Sequence, residues 1–246
     1  MYTERVPRPR ELRPRHSVEN QWDLLDALMP GVPRPQRDTD PVEMPDSADA
    51  DARVDRRLAS AGVEPAAGIV VVHVGAGNEF RRWPEASFAA LAAGLHARGP
   101  DRRIILTTGP GQAATADTIA RLAAADGMPA GSIAVMCDLD LQELRSLIRR
   151  ARLFIGGDSG PAHIASTTSV PMVVVFGPTT QVSWGPWRPA SLPTEIVDAG
   201  SLPCRPCDQR RCEPGDFRCL RGIPPDAVLA AADRVLARAD ARRRDA

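Results

Sequence analysis

From Gly68 onward the sequence alternates short apolar runs with longer helical stretches, and this alternation constrains the fold more than any other feature. "GIVVVHVG", "RRIILTTG", "SIAVM", "RLFIGG" and "PMVVVFG" are apolar nearly throughout, as strands buried on both faces must be. "PEASFAALAAGLHARG", "QAATADTIARLAAADG", "DLQELRSLIRRA" and "GPAHIASTTS" lie between them and read as helices. "TEIVDAG" adds an edge strand, and "PPDAVLAAADRVLARAD" a closing helix. Pro84 is expected at the first helical position of its helix, with Gly99 at the end. This order predicts an α/β domain over residues 67–246, a doubly wound Rossmann-like parallel sheet whose ligands lie at the carboxyl ends of its strands.

Residues 1–66 differ. "RVPRPRELRPRH" and "PGVPRPQRDTDPVEMPDSADAD" are rich in proline and charge and read as linkers or extended segments. Between them "SVENQWDLLDALM" sets Val18, Trp22, Leu25 and Leu28 on one helical face. A second short helix around Asp51 to Ala61 carries Val54 and Leu58 and ends at Gly62. These pieces have no core of their own, so the expectation is a mostly irregular extension, the end of something that begins before Met1.

Charge and composition narrow the function classes. Lys+Arg and Asp+Glu both number 31, so no overall field draws nucleic acid or an anionic surface. The chain has no run of 18 apolar residues, and its first residues lack the apolar region of a signal peptide, which reads as a cytosolic protein. Five cysteines without a secretory signal argue against a disulfide scaffold.

Three strand-to-helix turns could carry chemistry. "GGDSGPAH", residues 156–163, follows a strand and opens a helix. Gly156 and Gly157 permit close approach, Asp158 or Ser159 can cap, and Pro161 suits the first helical position. The free amides beyond Ser159 and Gly160 make an anion site, and His163 could donate to a phosphate oxygen. A capped helix with nothing bound is the competing reading. In "HVGAGNEFRRWP", residues 73–84, Gly75 and Gly77 give G-x-G, but Phe80 occupies the third glycine's place, so a dinucleotide fingerprint fails. Arg81 and Arg82 after this loop can balance a diphosphate, or are simply solvated. "TTGPGQ", residues 107–112, is a third turn on the same sheet edge. Trp184 and Trp187 in "VSWGPW" read as loop packing.

Cys204, Cys207, Cys212 and Cys219 form C-x₂-C-x₄-C-x₆-C. Four thiols in this span suit a tetrahedral Cys₄ site holding structural zinc; reduced or redox-paired thiols are the alternative. Cys137, beside an apolar strand, reads as core.

Together these residues resemble glycosyltransferase family 9, the lipopolysaccharide heptosyltransferase family, from about His16 to the C-terminus. "VGAGNEFRRWPEASFAAL" resembles its Gly-rich loop, basic residue and Trp-Pro; "LFIGGDSGPAHIASTTSVPMVVVFGPTTQVSWGPW" its Asp-(Thr/Ser)-Gly-x-x-His and Phe-Gly-Pro-Thr; "CRPCDQRRCEPGDFRCLRGIPPDAV" its cysteine-bearing tail. The resemblance implies one half of a GT-B fold, binding a nucleotide-sugar donor such as ADP-heptose. It also implies inverting transfer to a glycolipid or saccharide acceptor without a metal or other cofactor, and a cytoplasmic protein with peripheral contact at the inner membrane. Gly75, Gly77, Asn78, Arg81, Gly157, Asp158, Ser159, Gly160 and His163 would hold the diphosphate and sugar, and Gln112 and Leu139 the nucleoside. Arg81 stands where the family usually has Lys, and Gln112 where it often has Glu. The family's general base belongs to an N-terminal acceptor domain, and residues 1–66 offer no strand-helix series to carry it. The alternative is a nucleotide-sugar-binding module without turnover. A Rossmann oxidoreductase loses on the broken fingerprint.

Overall fold

The computed structural model describes residue 6, residues 14–64 and residues 67–245. Most of the first Pro-rich segment read as a linker lies outside these. The helix α1 (Ser17–Leu28) is capped by His16, whose ring Nδ1 accepts from Val18 N, while Glu19 Oε2 accepts from His16 N. No residue of α1 is buried, so the apolar face expected from Val18, Trp22, Leu25 and Leu28 covers no core.

The second helix, α2 (Ala48–Ser60), buries Ala50, Val54 and Leu58. The first strand, β1 (Gly68–His73), is buried at every position and leads through a short 3-10 turn at Glu79–Arg81 into α3 (Glu85–Ala97). There follow β2 (Arg102–Thr107), α4 (Ala113–Ala125), β3 (Ile133–Met136) and α5 (Leu141–Arg149). After these come β4 (Leu153–Gly157), α6 (Gly160–Ser166), β5 (Met172–Phe176), α7 (Gln181–Trp184) and β6 (Thr194–Asp198). The chain closes with α8 (Arg218–Arg221) and α9 (Pro225–Arg244).

The strands make one sheet in the order β3-β2-β1-β4-β5-β6, every neighbouring pair parallel. Alternate residues face opposite sides, so one sheet feeds two cores. Val70, Val72, Ile104, Leu106, Leu153, Ile155, Val173 and Val175 point to the side covered by α3, α4 and α9. Ile69, Val71, Ile105, Phe154, Met172, Val174 and Phe176 point to the side where Val54, Leu58, Leu144, Leu147 and Ile148 pack from α2 and α5. The continuous β-branched runs are thus explained by burial from both faces.

Two helix starts differ from expectation. Pro84 is the N-cap of α3, with extended backbone at φ −57 and ψ 140, rather than its first helical residue. Helix α6 begins at Gly160, which moves Pro161 to the second position. No helix among the described residues is long and apolar enough to cross a membrane.

Candidate functional site

In a doubly wound sheet the crevice opens where the strand order reverses, because the crossovers on either side depart to opposite faces. Here that point lies between β1 and β4, which pair with His73 opposite Gly156. The two turns singled out in the sequence, residues 74–82 and 158–160, leave the carboxyl ends of these two neighbouring strands. Long-range strand order alone brings them together.

Close backbone approach explains two of the glycines. A Cβ on Gly75 would stand 2.4 Å from Gln112 Oε1 and 2.9 Å from Gly109 N, and one on Gly157 would stand 3.3 Å from Arg81 O. Around Gly77 and Gly160 the equivalent position meets nothing within 4 Å, so both face open space. Asn78 caps the 3-10 turn by accepting from Phe80 N at 2.9 Å, which sets the direction of Arg81. Arg81 reaches across to β4's turn, where Nη1 donates to Asp158 O at 3.3 Å and lies 3.7 Å from Asp158 Oδ2.

Asp158 is 3% exposed, and Thr179 Oγ1 donates to its Oδ2. Neither Asp158 nor Ser159 caps α6: Ser159 occupies the N-cap position, but its hydroxyl donates to Gly157 O at 3.3 Å. The first amides of α6 are therefore left without a side-chain cap. His163 is half-buried in the first turn of α6, and burial lowers its pKa below the usual imidazole range, with Asp158 opposing and Arg81 reinforcing that shift. The arrangement offers uncapped amides, a guanidinium and an imidazole around one opening, a set that suits the oxygens of a diphosphate.

The nucleoside candidates lie to one side. Gln112 Nε2 donates to Ala76 O at 3.0 Å, so its amide supports the Gly-rich loop from below. Leu139, after β3, packs against the core on the α2–α5 side. Gln112 is thereby brought to the Gly-rich loop, while Leu139 stays on the α2–α5 side.

The cysteine tail departs from the expected Cys₄ set. Among the described residues no group of three or more His, Cys, Asp or Glu side chains is placed to hold a metal ion, and all five cysteines are free thiols. The local anchors differ: Cys207 N donates to Pro178 O, Cys212 Sγ accepts from Phe217 N, and Cys219 is buried on α8. Burial and the neighbouring cysteines raise the pKa of Cys219, which keeps it a thiol. Cys137 is half-buried and accepts from Thr108 Oγ1 at 3.1 Å.

Several contributors were not singled out in the sequence. Gln209, between two of the cysteines, accepts from Arg81 Nε at 2.8 Å and from Asn78 Nδ2 at 3.2 Å. Phe217 packs on Phe80 with ring centroids 5.3 Å apart. The cysteine-bearing loop thus folds over the Gly-rich loop. Arg205 Nη2 donates to Thr179 O, backing the residue that holds Asp158. His73 is buried beneath Gly75, with Nδ1 3.0 Å from Thr107 Oγ1, and desolvation pushes its pKa down to about 4. Trp187 is buried as expected, its Nε1 donating to Asp40 O at 2.8 Å, whereas Trp184 is 42% exposed.

Residues 4–216 match the family described as "Glycosyltransferase family 9 (heptosyltransferase)". The chain belongs to glycosyltransferase family 9. Among family 9 relatives, it is 34% identical over 186 residues to lipopolysaccharide heptosyltransferase 3 of Escherichia coli, covering 75% of this chain and 51% of that protein. Against lipopolysaccharide heptosyltransferase 3 of E. coli K12 it is 30% identical over 224 residues, 90% of this chain and 60% of that one. The chain therefore spans about half to three-fifths of the curated relatives it matches. A family 9 glycosyltransferase structure from Veillonella parvula superposes with a TM-score of 0.72 at 19% identity, over 91% of this chain and 60% of that one. E. coli heptosyltransferase WaaC with ADP superposes with a TM-score of 0.56 at 20% identity, over 91% of this chain and 58% of that one. These likenesses bear out the α/β, doubly wound sheet as one Rossmann-like half of the family's fold.

Proposed function

We propose that this chain supplies the donor-binding half of a glycosyltransferase that uses ADP-heptose or a similar nucleotide sugar. The observation that carries this reading is the pairing of the 74–82 and 158–160 turns across the β1–β4 crevice, with Arg81 bridging them. In this reading residues 67–246 are the donor domain, onto which α2 docks, and residues 1–66 are the end of an acceptor domain and its linker. The diphosphate lies on the amides of Ser159 and Gly160, and Arg81 and His163 meet its outer oxygens. Asp158 is tied to Thr179 and Arg81 and fixes the turn. Gly77 and Asn78 border the sugar, and Gln112 and Leu139 flank the nucleoside.

As the bond from the anomeric carbon to the diphosphate oxygen breaks, negative charge accumulates on the departing ADP. Preorganised amides and a guanidinium stabilise that charge in place, so no metal is required of the step. A glycolipid or saccharide hydroxyl attacks from the opposite face, which inverts the anomeric centre. The base that takes its proton is assigned to the acceptor domain. WaaC of E. coli with ADP and the lipopolysaccharide heptosyltransferases of E. coli support this donor and a lipopolysaccharide acceptor; the setting that goes with this reading is cytoplasmic and peripheral to the inner membrane. The test is ADP release from ADP-heptose, measured with this chain alone and with an acceptor domain of the family joined to it. Turnover only in the joined protein is the expected result; turnover by these 246 residues alone would overturn the placement of the base.

A further inference from the structure

On the other side of the β5–β6 connection, a cavity of about 660 Å³ opens between the N-terminal segment and the edge strand β6. Its lining includes Arg15, Arg37, Arg188 and Arg238. Arg188 is only 3% exposed. Its Nη1 donates to Val170 O at 3.0 Å, but Nε and Nη2 have no hydrogen-bond partner among the described residues. A buried guanidinium with two empty donors is costly, so an acceptor is missing. Burial, reinforced by the charge of Arg242, lowers its pKa to about 10, in keeping with an uncompensated cation.

The neighbouring carboxylates are already engaged. Arg15 pairs with Asp23 and Arg238 with Glu195. Glu19 accepts from His16 N as part of the α1 cap, and Asp38 accepts from Ala190 N. His16 adds no charge: Val18 N donates to its Nδ1, its Nε2 donates to Gly185 O, and burial holds its pKa down. Arg37 stacks over Trp187 at 5.2 Å and has no carboxylate partner among the described residues.

We propose that this cavity binds a soluble phosphate monoester, with Arg188 holding the phosphate and Arg37 closing on it from the exposed rim. Nε–H and Nη2–H are the two donors on one edge of a guanidinium, and that edge matches two oxygens of a phosphate. The volume falls in the range of small-molecule sites, roughly 300–1,000 Å³, and leaves room for an organic body beside the apolar Pro186, Leu192 and Ile196. Depth excludes a membrane headgroup, because a bilayer surface cannot reach a guanidinium so little exposed.

The probes are inorganic phosphate and glucose 6-phosphate, added to the whole chain with chloride at matched ionic strength as control and followed by thermal shift. Both should raise the melting temperature above the chloride control. R188M should abolish the shift, R37A should weaken the apparent affinity about tenfold, and R81A should leave it intact. R37A lies on the exposed rim and keeps the test open if R188M does not fold. The site is overturned by no shift beyond chloride, or by a shift that survives R188M and R37A but is lost in R81A, which would put the anion at the β1–β4 crevice. Stabilisation by inorganic phosphate without glucose 6-phosphate would overturn the monoester.

Discussion

His73 is the residue whose chemistry depends most on its surroundings. It is 4% exposed beneath the Gly75 turn, and its pKa falls from 6.5 to about 4. The folded state favours the neutral ring, so between these values the unfolded chain binds more protons than the native one. Its contribution to stability is full above pH 6.5 and is lost as pH falls toward 4, amounting to about 3 kcal/mol. His16 and His163 are shifted in the same direction and add to the slope. Urea midpoints measured from pH 7 to 4 should fall steeply in the wild type and much less in H73N; parallel curves would show that His73 does not titrate on unfolding. The sequence placed this histidine at the end of a strand read as buried, but gave no sign of the Thr107 contact beside it or of the Gly75 turn that covers it. Gln209 was equally silent. Its role exists only because the cysteine loop returns to Arg81 from 128 residues away.

Among the elements, α2 tests where the folded unit begins. Its Val54 and Leu58 stripe was legible from spacing, but its partner face on α5 was not, because the two lie about 90 residues apart in the chain. Salt bridges fringe the contact, Arg149 and Arg150 meeting Asp51, and Arg150 also meeting Asp55. Burial outweighs them: L58A should cost about 2–5 kcal/mol in chemical denaturation. D55A, which removes a solvent-screened pair, should change little. A neutral L58A would make α2 a tethered linker rather than part of the fold. The strands and main helices were readable because uninterrupted apolar runs alternate with helical ones. The cysteine spacing left zinc and reduced thiols both open, because it counts residues along the chain and does not fix how Pro178, Phe217 and α8 orient each thiol.

At the scale of the whole molecule, the proposed function rests on strand order. The motifs after β1 and β4 are separated by about 75 residues, yet the order β3-β2-β1-β4-β5-β6 makes their strands neighbours and opens a crevice between the turns. The sequence identified both turns and the fold class; the bridge from Arg81 to Asp158, and Thr179 behind it, needed three dimensions. Without that pairing, the Gly-rich loop and the uncapped helix α6 would be two unrelated surface turns.

Calorimetric titration of ADP into the wild type, R81A and H163A tests this pairing most directly. The wild type should bind, and each substitution should cost about 1.5–3 kcal/mol, roughly a ten- to hundredfold loss of affinity, as expected for a lost charge-assisted contact. Equal affinity for ADP in all three proteins would contradict it.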